Sequence, residues 1–217
     1  MTTPALDELL QASARLHAHL CPRQVLGVRM SLLAGWLLGL DLPRGDKRLV
    51  VIVETDGCAA DGVAVASGCW VGRRTLRVVD FGKVAATYCD SVSGRSIRIW
   101  PRPEARQLAG RFAPETADRW QAQLLGYQRM PDDLLLDWAT VVLDPPLETL
   151  ISQPGLRVAC AVCGEEIMNG REIDHEGVVM CRACAGQAYY RVAEEGGPAA
   201  RAPGDHTRRC SPALPRP

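Results

Sequence analysis

The sequence has no excess of either charge, no long apolar run and no visible internal repeat. Lys plus Arg and Asp plus Glu both number 25, so nothing in the balance indicates a general attraction to nucleic acid or to anionic membrane. The longest apolar stretch, residues 30–42, is interrupted by Ser31, Gly35 and Gly39 and is too short to span a bilayer. Because no basic segment leads into an apolar one near the start, we expect no secretory signal.

Histidine is scarce, with four in 217 residues, whereas there are nine cysteines. An odd number of cysteines, four of them in metal-ligand spacing, indicates liganded or reactive thiols and not a disulfide framework. We therefore expect a reducing, cytoplasmic location. Apolar residues at 47% and charged residues at 23% are an ordinary globular balance, and the length suffices for one core and a small appendage.

The order of predicted helices and strands is mixed and not a strict strand–helix alternation, which predicts an α+β fold with a mixed sheet for residues 1–150. A linker at 151–159, a zinc unit at 160–195 and a disordered tail at 196–217 follow. The predicted core elements are helices at 7–20, 22–40 and 61–67, a strand at 49–54, a hairpin at 84–100 and a last strand at 140–143. The second helix is apolar almost all round and should be central.

Two CxxC pairs, Cys160 with Cys163 and Cys181 with Cys184, are separated by 17 residues. This spacing predicts a structural Zn²⁺ site, the alternative being a redox pair. Turn signals inside the spacer and a helix at 185–192 predict a treble-clef layout. So small a unit should depend on its metal to fold. His175 is a possible fifth donor, although a hairpin surface position suits it better.

His17, His19 and Cys21 lie within five residues. In an extended segment alternate side chains point the same way, so these three could converge on a metal or form a thiol–histidine pair. Because Pro22 fits the first turn of a helix, Cys21 would lie at the positive end of that helix, where a thiolate is favoured. The alternative is a helix end with a capping histidine and a buried cysteine.

Further polar residues follow predicted elements. Cys58 comes directly after a buried strand, and Cys69 comes after the small-residue helix. Asp61 suits a helix cap or a partner that orients a histidine, and Lys83 after a glycine turn suits anion binding. As ordinary structural residues, Asp61 is a cap, Lys83 a solvated side chain and Cys69 a small core residue. Together with the residues near Cys21 they form a candidate site.

These motifs carry a resemblance to the FmdE family, which is named for a component of formylmethanofuran dehydrogenase. The run HAHLCP at residues 17–22 resembles the HGHxCPG opening of that family. DGCAAD at 56–61, GCWVG at 68–72 and DFGK at 80–83 follow in matching order. The CxxCGE and CxxCAxxxYY segments at 160–165 and 181–190 resemble the zinc finger that many members append.

The resemblance covers about residues 8–192 and implies an α+β core, often dimeric, with an auxiliary treble clef. It also implies a link to molybdenum or tungsten enzymes of one-carbon metabolism. The sequence departs from the family pattern at two positions. Ala18 replaces the middle glycine of the pattern, and Arg23 replaces the glycine that follows the proline. Arg23 would narrow the site or recruit an anion.

Three functions follow, in order of preference. The first is a metalloprotein that serves a molybdenum or tungsten oxidoreductase as accessory subunit or maturation factor, with a second divalent metal held by His17, His19, Cys21, Cys58 and Cys69. The second is an enzyme in which Cys21 is the nucleophile, a histidine the base and Lys83 the anion-binding group. The third is a zinc-finger regulatory module, against which the absence of a basic stripe counts. We also expect a homodimer through the core.

Overall fold

The computed structural model describes residues 4–151 and 155–191, and contacts within the chain divide it into two units, Met1–Ile151 and Ser152–Pro217. The predicted disordered tail, residues 196–217, lies outside the described residues. Within the described ranges, no helix combines the length and the apolar character needed to cross a bilayer. The two units are described separately.

The first unit is built on a mixed five-stranded sheet. Its strands are β1 (Leu49–Val53), β2 (Leu76–Val78), β3 (Ala86–Asp90), β4 (Ser96–Pro101) and β5 (Leu136–Thr140), in the spatial order β2-β1-β3-β4-β5. β1 pairs in parallel with β2, and the other three neighbouring pairs are antiparallel. Together with the packed helices this confirms the predicted α+β fold.

Among the described residues of the first unit, seven helices accompany the sheet. They are α1 (Leu6–His17), α2 (Pro22–Leu38), α3 (Cys58–Ser67), α4 (Ala105–Leu108), α5 (Arg119–Arg129), α6 (Asp132–Leu135) and α7 (Leu147–Leu150), with a 3₁₀ turn at Ala109–Phe112. Val51, Tyr88 and Ile97 are aligned across three strands and fully buried. The Tyr88 hydroxyl lies 3.0 Å from the Ser31 hydroxyl of α2, so this face of the sheet is turned towards α2.

Helix α2 is central, as its composition predicted. Twelve of its seventeen residues are buried, and it contacts α1, α3, α5 and the sheet. Its partly exposed cation, Arg29, donates to the carbonyl oxygens of Tyr127 (2.6 Å), Gln128 (3.1 Å) and Met130 (2.6 Å) and to the Asp132 carboxylate (2.7 Å). Because helix C-termini leave carbonyl groups without partners, Arg29 satisfies the end of α5 and anchors α2 to it.

The second unit consists of two short antiparallel hairpins and a helical turn. β6 (Arg157–Ala159) pairs with β7 (Glu166–Met168), and β8 (Ile173–His175) pairs with β9 (Val178–Met180). A five-residue helical turn follows at Ala183–Gln187. The order of hairpin with a cysteine turn, second hairpin and helical turn is the predicted treble-clef order.

Several predicted boundaries are wrong, and each has a physical reason. The last core strand is Leu136–Thr140, not 140–143, because pairing with β4 outweighs the helical tendency of the preceding turn. β6 starts at Arg157, inside the predicted linker, because residues 157–159 pair with β7. The predicted helix at 185–192 ends by Gln187, since Gly186 has φ 86°, a left-handed conformation that a helix cannot continue through. Residue 192 lies outside the described residues.

Candidate functional site

The turn between α1 and α2 places His17 and His19 differently from the predicted extended segment. His17 is the last residue of α1, and Ala18 caps the helix in the left-handed region with φ 64°. This is the position at which the family pattern has glycine, which adopts such angles without strain. His19 is exposed, and its ring lies edge-on to that of His17 with centroids 5.0 Å apart.

His17 is held between a thiol and a carboxylate from α3. Its Nδ1 lies 2.8 Å from Asp61 Oδ2, and its Nε2 lies 3.3 Å from Cys58 Sγ. A carboxylate on one ring nitrogen keeps the proton there and leaves the other nitrogen available as a base or a metal ligand. The arrangement therefore suits two chemistries, a thiol–imidazole metal site and a Cys–His–Asp triad.

Two helix starts bring the thiols together. Cys21 is the residue before the first turn of α2, and Cys58 is the first residue of α3. The helices cross very closely. A Cβ atom at Gly27 would lie 2.3 Å from the backbone carbonyl oxygen of Ala59, and one at Gly62 would lie 2.3 Å from the backbone carbonyl oxygen of Gln24. The small residues predicted in α3 thus serve a close crossing beneath the site.

The Cys58 thiol does not have the lowered pKa that a nucleophilic cysteine needs. Burial raises the pKa of the Cys58 thiol above its ordinary value, and contact with the Cys21 thiol raises it further. The Cys58 backbone N–H and the nearby Arg23 guanidinium act in the opposite direction without outweighing these effects. A bound cation would favour the thiolate, because metal binding releases the proton of a ligand thiol.

Three of the predicted site residues lie outside this cluster or at its margin. Cys69 is buried in the core, and its thiol donates to the carbonyl of Leu49, at the start of β1, whereas Cys58 follows the end of that strand. Lys83 has an exposed side chain, and its backbone N–H donates to the carbonyl of Glu54 beside the end of β1. The structure therefore brings His17 into contact with Cys58 and Asp61, while Cys21 lies at the neighbouring start of α2 and His19 lies at the solvent side.

One buried polar residue beside the cluster was not singled out from the sequence. Gln24 is fully buried, and its side-chain oxygen accepts the backbone N–H of Cys21 at 2.8 Å. A signal was available, because glutamine at the third position of a helix is a known partner for the backbone of the capping residue.

The four cysteines of the second unit converge as their spacing predicted. Cys160, Cys163, Cys181 and Cys184 present sulfur atoms that all lie within 4.8 Å of one another. Cys163 Sγ and Cys181 Sγ are 4.0 Å apart, close to the roughly 3.8 Å expected for two thiolates on a tetrahedral zinc. Elsewhere in the described ranges, no other set of three or more His, Cys, Asp or Glu residues converges in this way.

Backbone donors prepare this site for a cation. Burial alone would raise the pKa of the Cys160 thiol, but hydrogen bonds from the N–H groups of Cys163, Cys181 and Val162 lower that pKa to about 6. Burial raises the pKa of Cys163 to about 11, and the Cys160 thiol contributes to the increase. Neighbouring thiols thus resist becoming thiolates together unless a metal ion shares their charge.

The chain is similar to known proteins in family, in sequence and in structure. The family described as "FmdE, Molybdenum formylmethanofuran dehydrogenase operon" matches residues 16–141, more than half of the chain. A curated relative from Archaeoglobus fulgidus, named a probable S-adenosyl-L-methionine-binding protein, is 30% identical over 209 residues. The match includes 88% of this chain but 56% of the relative, so the chain spans little more than half of that protein's length.

Among solved structures, an FmdE-like protein of the tungsten formylmethanofuran dehydrogenase type, from Syntrophus aciditrophicus, is similar, with a TM-score of 0.57 and 22% identity. The match covers 88% of this chain and 100% of that one. At this level of identity the likeness supports the fold.

Proposed function

The chain belongs to the FmdE family, and from that premise we propose that it is a metal-binding protein serving a molybdenum or tungsten oxidoreductase of one-carbon metabolism. Its role would be that of an accessory subunit or maturation factor for an enzyme acting on formylmethanofuran or formate. The operon in the family's description supports the association. The observation that carries a metal function for the core is His17, oriented by Asp61 towards the Cys58 thiol.

The donor set of the core fits a late divalent metal. Zinc binds nitrogen at about 2.0–2.1 Å and sulfur at about 2.3 Å, so two such ligands on one tetrahedral ion lie about 3.6 Å apart. The distance of 3.3 Å between His17 Nε2 and Cys58 Sγ is close to this value. We propose Cys21 as the third donor, since it precedes the first turn of α2, where that helix crosses the start of α3 closely. His17, Cys21 and Cys58 lie less close together than the four cysteines of the second unit, so binding of an ion would draw these three donors together. Such an ion would supply Lewis-acid chemistry or a point of attachment for sulfur.

The remaining core residues receive supporting roles in the proposal. Asp61 fixes the His17 tautomer, and His19, exposed beside His17, would exchange protons with solvent. Lys83 lies on the loop beside the end of β1 and would attract an anionic ligand. We leave Cys69 out of the ligand set, because its thiol bonds to the opposite end of β1.

We propose that the four-cysteine site holds Zn²⁺, since four thiolates in tetrahedral spacing are typical of structural zinc. The unit around it would dock the partner enzyme. Free cysteines together with thiolate ligands suit a reducing compartment, so we place the protein in the cytoplasm.

We also propose a homodimer through α2. Trp36 is 78% exposed and borders a cavity of about 360 Å³, whose other lining residues include Leu32, Gly35 and Leu40. A protruding aromatic side chain and a recess on the same patch are what a two-fold interface requires. Light scattering at micromolar concentration should give twice the 23.6 kDa chain mass, and Trp36→Ser should give the monomer. A monomer mass for the wild type removes the proposal.

A second candidate function is a thiol enzyme, and the Cys58–His17–Asp61 geometry is the observation that favours it. The nucleophile would then be Cys58 and not Cys21. The raised pKa of Cys58 counts against this function, because a thiol nucleophile needs a depressed one. The reaction of Cys58 with iodoacetamide separates the two. If Cys58 reacts rapidly at pH 6 and a chelator does not change the rate, the enzyme is favoured. If Cys58 reacts only after a chelator has been added, the metal site is favoured.

Metal analysis tests the first proposal. Elemental analysis of the wild-type chain should find two divalent ions per chain, one each in Cys58→Ser and Cys163→Ser, and none in the double variant. Circular dichroism confirms that the Cys58→Ser core is folded. If Cys58→Ser retains the wild-type metal content, the core is not a metal site.

The accessory role needs a separate experiment in a host that contains the gene. Deletion should lower the activity of the host's molybdenum or tungsten formate-class oxidoreductase, and the wild-type gene should restore it, whereas Cys58→Ser should not. Equal rescue by Cys58→Ser would separate the accessory role from the core site. S-adenosyl-L-methionine, the ligand in the name of the curated relative, is a useful probe, and calorimetry measures whether it binds. Turnover of this compound would instead indicate an enzyme.

A further inference from the structure

We propose that Gln24 is the positioning residue of the core site, and that it fixes the separation between the helix that carries His17 and the start of the helix that follows Cys21. This inference rests on the proposed metal function of the core. Gln24 contacts the proposed ligand Cys21 through the backbone N–H of that residue and not through its thiol.

Gln24 joins two helices through three hydrogen bonds. Its Oε1 accepts the backbone N–H of Cys21 at 2.8 Å. Its Nε2 donates to the backbone oxygen of Ser13 at 3.0 Å and to the Ser13 hydroxyl at 2.9 Å. One planar amide thus connects the residue before α2 with the last turn of α1.

The position of Ser13 makes this connection relevant to His17. Residues four apart on an α-helix lie on the same side, and the carbonyl of residue 13 is the regular acceptor for the N–H of residue 17. Gln24 therefore holds the same peptide group that ends the helix at His17. A shift of α1 relative to α2 would move the His17 ring away from Cys58, which depends on α2 through the close crossing at Gly62.

The burial of Gln24 shows why the connection is rigid. Gln24 and Ser13 are both fully buried, so neither can exchange its partner for water. A buried amide that loses its partners carries a large desolvation cost, so the amide and the two helices have one favourable arrangement. A metal site needs such an arrangement, because groups outside the ligand set that orient the ligands typically change metal affinity by 10- to 100-fold.

The experiment measures metal protection of individual cysteines in the full chain. Samples are held at buffered free Zn²⁺ concentrations and alkylated with iodoacetamide, and peptide mass spectrometry gives the modified fraction of each cysteine. The four cysteines of the second unit serve as an internal standard. The variants are Gln24→Met, which removes all three hydrogen bonds, and Ser13→Ala, which removes one.

Ser31→Ala is the matched control. Ser31 is a fully buried polar residue of the same helix, and its hydroxyl bonds to Gly27, to Tyr88 and, at 3.5 Å, to the carbonyl of Val63 in α3, whereas Gln24 bonds to Ser13 of α1 and to Cys21. Both Gln24→Met and Ser31→Ala should lower the melting temperature. Gln24→Met alone should raise the free Zn²⁺ needed to protect half of Cys21 and Cys58, by about tenfold or more. Ser13→Ala should give a smaller increase, and protection of the second unit should not change.

A change of less than twofold in Gln24→Met, with the melting temperature lowered as in Ser31→Ala, would make Gln24 a brace of the fold and overturn the inference. If wild-type Cys21 and Cys58 are not protected at any Zn²⁺ concentration, the metal function itself fails. Positioning is then judged from the alkylation rate of Cys58 in metal-free protein. Gln24→Met must change that rate several-fold and Ser31→Ala must not, and equal rates in both would overturn the inference in this case too.

Discussion

The two cysteine-containing sites of this chain are assembled in opposite ways. In the second unit all four donors lie between residues 160 and 184, on two tight turns. In the first unit His17 meets Cys58 and Asp61, which lie 41 and 44 positions away in the sequence. Local turns are sufficient to bring the four cysteines of the second unit together. The contact of His17 with Cys58 and Asp61 in the first unit exists only after α1, α2 and α3 have packed.

The surroundings of the sites differ in the same sense. Among the described residues of the second unit, Cys160 and Ile167 are the apolar side chains that are nearly inaccessible, which is far too little for a core. The first unit buries a continuous cluster from α1 to β5. We infer that the second unit needs a bound metal ion in order to fold, whereas the site of the first unit forms because that unit folds around its own core.

The largest expected effect comes from Cys163→Ser. Structural zinc contributes on the order of 10–16 kcal/mol in small zinc units, so the variant should lose one metal ion and residues 155–191 should become sensitive to protease. The first unit should keep its melting temperature. The matched control is Cys69→Ala, a buried thiol of the first unit, which should lower the stability of that unit by about 1 kcal/mol without loss of metal. Full metal content in Cys163→Ser would contradict the comparison.

The reverse effect is expected from Gly62→Ala. The added Cβ atom would lie 2.3 Å from the backbone carbonyl oxygen of Gln24, so α2 and α3 must separate at a cost of about 2–3 kcal/mol. The variant should lose stability and metal in the first unit while the second unit remains protected from protease. Gly72→Ala, where the added atom meets nothing within 4 Å, should change neither property. Unchanged denaturation of Gly62→Ala would show that the helices are not as close as described.

A third prediction uses pH to separate the units. Asp90 is buried and accepts two hydrogen bonds from Arg48, at 2.7 and 2.8 Å, and this partner holds the pKa of Asp90 far below its usual value. A lowered folded-state pKa stabilises the fold above the unfolded pKa of about 3.9, and the contribution is lost as pH falls below it.

Asp90→Asn should therefore lower the unfolding free energy of the first unit by about 2 kcal/mol at pH 7, and the difference from wild type should shrink below about pH 4. Urea denaturation at several pH values measures it. The second unit should release its metal at higher pH than this, because its thiolates become protonated first. A difference that stays constant down to pH 2 would mean that the Arg48 pairing does not stabilise the core.

The smallest effect is expected from Ala18→Gly. Ala18 has φ 64°, where glycine carries no steric penalty, so the exchange should raise the unfolding free energy by about 0.5–1 kcal/mol. Ala14→Gly, inside α1, is the control and should lower it by about 1 kcal/mol. Thermal denaturation distinguishes the two signs. A loss of stability in Ala18→Gly would show that the turn after His17 is not in this conformation.

Features that depend on neighbours in the chain were predictable from the sequence. The convergence of Cys160, Cys163, Cys181 and Cys184 followed from spacing, because a CxxC turn brings two thiols together whatever surrounds it. The central place of α2 followed from its composition, since a helix that is apolar all round has no face to leave in water. The start of this helix at Pro22 also followed from the local preference of proline for the first turn.

Features that depend on distant partners were decided by the tertiary structure alone. Asp61 was equally suited to capping a helix and to orienting a histidine, and the packing of α1 against α3 places it on His17. Cys69 follows an element end just as Cys58 does, yet the two thiols lie towards opposite ends of β1. The physical reason is that these distances are set by helix crossings and strand pairing, which depend on the close approach of glycines such as Gly62 and not on the order of neighbouring residues.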